Sequence, residues 1–413
     1  MTGHPEQDAT ARPALPKGFW VIWSTVALDQ IVFAMVLPVL PFIARRYGAS
    51  PLVVTALVSI FALAQFLVSP FVGALSDRVG RKPVLVVSLF GSALGSLVLG
   101  LAGSLPLLFL GRAIDGLSGT ALVSAQTAIT DMAPPQRRAR LLGLLGTAFA
   151  VGFIVGPGLT ALASRWDERL PFFIAAGLGT LNALIAIVRL PETRPEEDRL
   201  ALARAHALGS EDRSPVAVFR RAGSLPQATW FYIAVLAAGL FAFSTIEGGT
   251  FTLLADDRFG FSASSIAGLF AWVGVVLALT QVMVVGPLNI RAGPRVAAAL
   301  ALIVNAVGFT LIAMSGHAWL LVLGASFNAL GQGVLRPTCT SAVSNSAPAD
   351  QRGLAIGTQT SAQGLVRIIG PLVAGALYTT VGQGTPFAVG AVVVAIAAAV
   401  LLSWGARFDP SLS

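Results

Sequence analysis

Twelve stretches of this chain are apolar over most of their length, and a run of about 20 such residues is what a helix needs to cross a bilayer. Lipid offers no water to pair backbone N–H and C=O groups, so runs of this kind have to be helical. They lie near 18–44, 51–75, 83–104, 106–131, 141–163 and 171–190, then 228–254, 262–288, 296–315, 318–345, 353–380 and 385–405. Only 11% of the 413 residues are charged, and the mean hydropathy is +0.80. Soluble domains carry roughly 25% charged residues, so too few charges are present to cover a water-facing surface of this size. An ordinary soluble enzyme, a disordered chain and a disulfide scaffold are excluded together. The expected fold is an all-α polytopic membrane protein.

The longest polar stretch, 191–227, divides the runs six and six. This predicts a polar tail at 1–17, a six-helix bundle at 18–190, a connector at 191–227, a second bundle at 228–405 and a tail at 406–413. The first run is too long for a signal-peptide core and reads as an uncleaved helix. The connector holds Glu196-Glu197-Asp198 and Arg220-Arg221. It reads as a solvated segment, with a short surface helix over 198–208.

Placing the N-terminus in the cytoplasm puts 19 of the 27 Lys and Arg residues on the cytoplasmic side and 5 outside. Arg112, Arg336 and Arg367 remain inside the spans. This is the positive-inside pattern, and it accounts for the net charge of +8. No single loop concentrates the charge, so nucleic acid is not an expected partner. Six of the seven tryptophans sit at helix ends, as interfacial belts require, and Trp272 alone falls mid-span. The lone cysteine, Cys339, and the scattered His4, His206 and His317 offer no disulfide and no metal site.

The two halves repeat. Ala133-Pro134 and Arg138 recur as Ala347-Pro348 and Arg352 at an offset of 214, which also carries Gly156-Pro157 onto Gly370-Pro371. Gly73, Arg78 and Gly80 recur as Gly286, Arg291 and Gly293 at 213. Two six-helix halves repeated in this way are what parallel-repeat transporters present.

Between helices 2 and 3 the chain reads Gly73-Ala74-Leu75-Ser76-Asp77-Arg78-Val79-Gly80-Arg81-Lys82. Its glycines permit a tight turn, and its charges can bond neighbouring helix ends. The full pattern in this position resembles the signature of the major facilitator superfamily, and the resemblance covers about 390 residues. In the second copy Ile290 stands where Asp77 stands in the first. Helix 4 carries Arg112-Ala113-Ile114-Asp115-Gly116, similar to the family's buried-arginine motif. Helix 5 carries Gly152, Gly156 and Pro157, which resemble the motif of the drug:proton antiporters, although Ala161 and Leu162 replace its last glycines. Spaced glycines allow close helix packing, and the proline removes a backbone bond. Helix 1, with Leu28-Asp29 and Leu37-Pro38-Val39-Leu40-Pro41, is similar to that of tetracycline-type exporters. The resemblance implies two pseudo-symmetric six-helix bundles, and a conformational latch made of Asp77, Arg78 and Asp131 with Gly73, Gly80 and Arg81.

A charge at mid-bilayer costs about 2.5–3.5 kcal/mol on insertion scales, so such residues face wet cavities and pair. Asp29 lies eleven residues into helix 1, which is about 16 Å. No basic residue stands within a turn of it, so desolvation favours its protonated form. Asp29 and Glu247 are the proton-coupling candidates, with Arg112 and Asp115 as partners on one helical face. Gln126, Arg336, Gln363 and Arg367 are candidates to line a substrate cavity. No nucleotide-binding loop of the Gly-x-x-x-x-Gly-Lys-Ser/Thr kind is present. Taken with these charges, the resemblance implies proton-coupled export of a small lipophilic compound by alternating access, without a cofactor and by a monomer in the cell membrane. A proton-coupled importer or uniporter of a small nutrient is the alternative reading.

Overall fold

The computed structural model describes residues 18–133, 135–193 and 222–404. The two tails and the greater part of the connector, including the helix expected at 198–208, lie outside the described residues. Twelve helices among them have the length and composition to cross a membrane. In chain order, spans 1 to 6 are Phe19–Arg46, Pro51–Val79, Arg81–Leu101, Leu105–Met132, Gly143–Ala163 and Leu170–Arg189. Spans 7 to 12 are Gln227–Glu247, Ala263–Met283, Val285–Ala313, Ala318–Ser346, Arg352–Thr380 and Thr385–Ser403.

The sequence sets several boundaries directly. Ser50 accepts from the Val53 amide and Pro51 follows at the first helical position, so span 2 starts there. Ser262 caps span 8 in the same way. Span 1 interrupts between Val36 and Leu40, where Pro38 and Pro41 each lack an N–H for the ladder. Span 7 departs from its apolar run. The run continues to 254, but the helix stops at Glu247 and a separate short helix, Thr250–Phe259, follows. Gly248 and Gly249 make the break. Gly249 has φ 94°, a left-handed value that glycine adopts without penalty.

Spans 1–6 and spans 7–12 form two bundles with small residues at their helix crossings. Asn182 of span 6 donates to the Thr25 carbonyl of span 1 at 2.9 Å. A Cβ built on Gly324 of span 10 would lie 2.8 Å from the Gly308 carbonyl oxygen of span 9. The internal repeat has a physical counterpart. Gly156 of span 5 lies against span 1, and Gly370 of span 11 lies against Ser244 of span 7. Outward surfaces are apolar, and Trp20, Trp166 and Trp319 are exposed near span ends.

The bundles meet toward one end and part toward the other. Spans 2 and 11 touch from Leu52 and Gly375 down to Phe66 and Gly364. Spans 5 and 8 touch from Ala161 and Ser264 to Phe153 and Gly274. Past these points Leu67, Phe71 and Leu75 of span 2, and Val282 and Met283 of span 8, are exposed. The closed end carries Arg45, and the open end carries Gly80. At the open end the second loop copy is looser. Its helix kinks at Gly293, and Ile290 is 86% exposed.

Candidate functional site

A cavity lies where the two bundles meet. Phe33, Phe61 and Arg112 line it from one bundle, and Glu247, Arg367 and Ser244 from the other. Arg112 is fully buried, which demands compensation for its charge. Its Nη1 pairs with Asp115 Oδ2 at 2.9 Å, and its Nε donates to the Leu57 carbonyl at 3.2 Å. Its guanidinium carbon sits 4.3 Å from the Phe61 ring centroid, a favourable cation–π placement. Asp115 also accepts from Ser92 Oγ at 2.5 Å. Span 3 can come this close because Gly95 has no side chain; a Cβ there would lie 2.9 Å from the Asp115 amide. One guanidinium nitrogen, Arg112 Nη2, is buried with no hydrogen-bond partner among the described residues.

Across the cavity, Arg367 Nη2 and Glu247 Oε2 stand 4.0 Å apart, a loose pair with Arg367 40% exposed. Arg336 is exposed, although Gln332 and Ala329 on the same face of span 10 are buried. That face is covered near the closed end and uncovered at Arg336, so the side chain stands on the wall of the opening. Gln363 is partly exposed on span 11 and Gln126 is exposed on span 4.

Asp29 takes part in no ion pair among the described residues. Gln30 Nε2 donates to its Oδ2 at 3.2 Å. Phe33, one turn on and on the same face, lines the cavity. The helix 5 glycines fix this part of span 1. A Cβ on Gly152 would lie 2.8 Å from the Gln30 carbonyl carbon, and one on Gly156 would lie 2.7 Å from the Ile31 carbonyl oxygen. Thr160 Oγ1 donates to the Met35 carbonyl at 3.0 Å. Pro157 lies within the same helix.

At the Gly80 end, Arg81 rather than Arg78 holds the loop charges together. Arg81 Nη1 reaches Asp77 Oδ1 at 2.8 Å and its Nε reaches Asp131 Oδ2 at 3.0 Å. Arg78 is exposed. Gly80 (φ 112°) makes the turn, and Gly73 has open space around it. Glu192, which sequence reasoning left in the solvated connector, caps span 3. Its two carboxylate oxygens accept from the Arg81 and Lys82 amides at 2.9 and 3.2 Å. These are among the unpaired donors at a helix start. The i,i+4 spacing of Asp77 and Arg81 was a usable signal; Glu192 carried none.

At the other end is a set of contacts that sequence reasoning missed. Arg45 of span 1 reaches across the bundles. Its Nη1 lies 2.8 Å from Asp256 Oδ2 and 2.6 Å from Asp257 Oδ1, and its Nη2 lies 2.9 Å from Asp257 Oδ2. Tyr378 of span 11 donates to Asp257 Oδ2 at 2.5 Å. Burial disfavours the Asp257 charge, but the hydrogen bonds from Arg45 and Tyr378 outweigh it and hold the carboxyl below its usual range.

The Major Facilitator Superfamily model matches residues 22–282 and 251–412. The tetracycline resistance protein, class C, of Escherichia coli is 31% identical over 365 residues, covering 87% of this chain and 89% of its own. Multidrug resistance protein 2 of Bacillus subtilis is 28% identical over 365 residues, covering 87% and 88%. Among solved structures, the human organic anion transporter MFSD10 (TETRAN) superposes with a TM-score of 0.67 at 25% identity, covering 93% of this chain and 98% of its own.

Proposed function

The chain belongs to the major facilitator superfamily, and from that premise we propose that it exports a small lipophilic compound in exchange for protons. Relatives named for tetracycline and multidrug resistance support the export direction. The two bundles rock about the central cavity and open it to each side in turn. The positive-inside pattern supports an orientation with both termini and the Gly80 end in the cytoplasm; on this reading the protein works in the cell membrane as a monomer. The structure then corresponds to the state closed outside and open inward. The energy source is the proton gradient, with no cofactor.

The observation that carries the coupling is Asp29, a carboxylate in the middle of a span, one turn before the cavity-lining Phe33, with no ion pair among the described residues. Its charge at that depth is worth about 2.5–3.5 kcal/mol, and protonation removes this cost. A proton therefore shifts the balance between two states that solvate Asp29 differently by up to several hundredfold. Glu247 faces the same cavity against Arg367 and is the second candidate. Arg112 and Asp115 neutralise one another and set the electrostatics of the N-terminal wall.

Inverted vesicles with an imposed pH gradient test the proposal. Asp29→Asn is expected to abolish uphill movement while downhill exchange persists. Uphill transport surviving in Asp29→Asn would remove the assignment, and net movement in the opposite direction would replace export by import.

A further inference from the structure

The charges around the cavity are arranged unequally. On the N-terminal wall Arg112 is matched by Asp115, which leaves Asp29 as a negative group without an ion partner among the described residues. On the C-terminal wall Arg336 and Arg367 face a single carboxylate, Glu247, and that contact is 4.0 Å long. Arg336 lies within electrostatic reach of both Arg367 and Glu247. The C-terminal wall therefore carries an excess positive charge, and the N-terminal wall an excess negative one. On the N-terminal side Phe33 and Phe61 also line the cavity, with ring centroids 5.3 Å apart. One further donor is spare: Arg112 lines the cavity, and its buried Nη2 has no hydrogen-bond partner among the described residues. Leaving a buried donor of this kind unpaired is unfavourable, and a ligand acceptor would relieve that cost.

We propose that the cavity selects an amphipathic substrate carrying both charges, its anionic group received by Arg367 with Arg112 Nη2, its cationic group received by Asp29, and its aromatic or apolar body lying against Phe33 and Phe61. The proposal rests on the export reading at one point, the role of Asp29. There the cationic end and the proton contend for the same carboxylate, as exchange requires. The anionic end contacts Arg112 of one bundle and Arg367 of the other, so a bound substrate bridges them. A lipophilic cation would satisfy only Asp29 and would leave the arginines of the C-terminal wall unused.

Four compounds on one rigid body test this: 4′-(aminomethyl)biphenyl-4-carboxylate, biphenyl-4-carboxylate, 4-(aminomethyl)biphenyl and biphenyl. Binding to the purified full-length protein is measured by titration calorimetry, and proton-driven movement is measured separately in inverted vesicles. The doubly charged compound is expected to bind at least tenfold more tightly than either singly charged one. Arg367→Gln should lower its affinity to that of the amine, and Asp29→Asn to that of the acid. Arg367→Lys, followed by thermal melting, keeps the charge and separates recognition from folding; it should retain most of the preference. Equal binding of the amine and the doubly charged compound, or a preference unchanged in Arg367→Gln, would overturn the proposal, as would no binding by any of the four. Proton-driven transport of the amine alone would sink the proposal and leave the export reading standing. Tight, Arg367-dependent binding of the doubly charged compound without proton-driven flux would do the reverse.

Discussion

Replacing Arg45 by Gln removes the three charged contacts that join the bundles at Asp256 and Asp257, at 2.6–2.9 Å. A hydrogen bond to a charged group contributes about 1.5–3 kcal/mol when well buried. Here Arg45, Asp256 and Asp257 are 27%, 32% and 23% exposed, so solvent screens them and the set as a whole is worth about 2 kcal/mol. That energy favours the state closed at the Arg45 end alone, because the bundles must part there to open. Its loss should shift the equilibrium roughly thirtyfold toward the open form. The lone cysteine is buried, so Cys339→Ser gives a clean background for a reporter at Val54→Cys, a buried position facing Gly249 across the interface. Labelling by a membrane-impermeant maleimide from the Arg45 side should then accelerate about thirtyfold in Arg45→Gln. Arg45→Asp combined with Asp257→Arg should bring the rate back toward its starting value. A rate within twofold of the parent would show that the contacts contribute nothing to closure. The pH dependence has a definite sign. Asp257 is depressed by its partners, so the closing energy is complete above the usual carboxylate range and is lost only as pH falls below it. Labelling, normalised to the thiolate fraction of the reporter at each pH, should be flat from pH 8 to 5, and a normalised rise between 7 and 6 would contradict the assignment.

Arg81→Ala removes the cation that joins Asp77 to Asp131 and should abolish transport, while Arg78→Ala should retain most of it; equal effects in a vesicle flux assay would return the latch to Arg78. Glu192→Gln weakens the cap on span 3 and should cost about 1 kcal/mol in thermal stability, read as a lower melting temperature in detergent. Gly156→Val drives a side chain into the span 1 backbone and should cost about 3 kcal/mol or prevent assembly. Gly158→Ala, with open space around it, should be neutral or slightly stabilising in the same melting assay.

The twelve helices and their division into bundles were legible because lipid imposes one rule on every span, and apolar length reports it. The break in span 7 was not legible from hydropathy. The run stays apolar through 254, and only the positive φ at Gly249 and the contact of Gly248 with Pro371 end the helix. Local pairs were readable at helical spacing, as Arg112 with Asp115 and Asp77 with Arg81 illustrate. Contacts distant in sequence were not. Arg45 and Asp257 stand 212 residues apart, and each alone looks like an ordinary loop charge. Glu192 was hidden for the same reason, since its partners are backbone amides 110 and 111 residues earlier.

The interruption after Glu247 has a mechanical consequence. Thr250–Phe259 is a short rigid rod hinged at Gly249, with the cavity carboxylate on one side of the hinge and Asp257 on the other. At 1.5 Å per residue, Asp257 rides about 12 Å from the pivot. A swing of roughly 10° there would carry it about 2 Å, enough to take a hydrogen bond beyond its range. Such a rod would act as a lever, turning a small displacement at the cavity into release of the Arg45 clasp. The pivot is a left-handed glycine, and stiffening it with Gly249→Ala would tax that motion even with every charge in place.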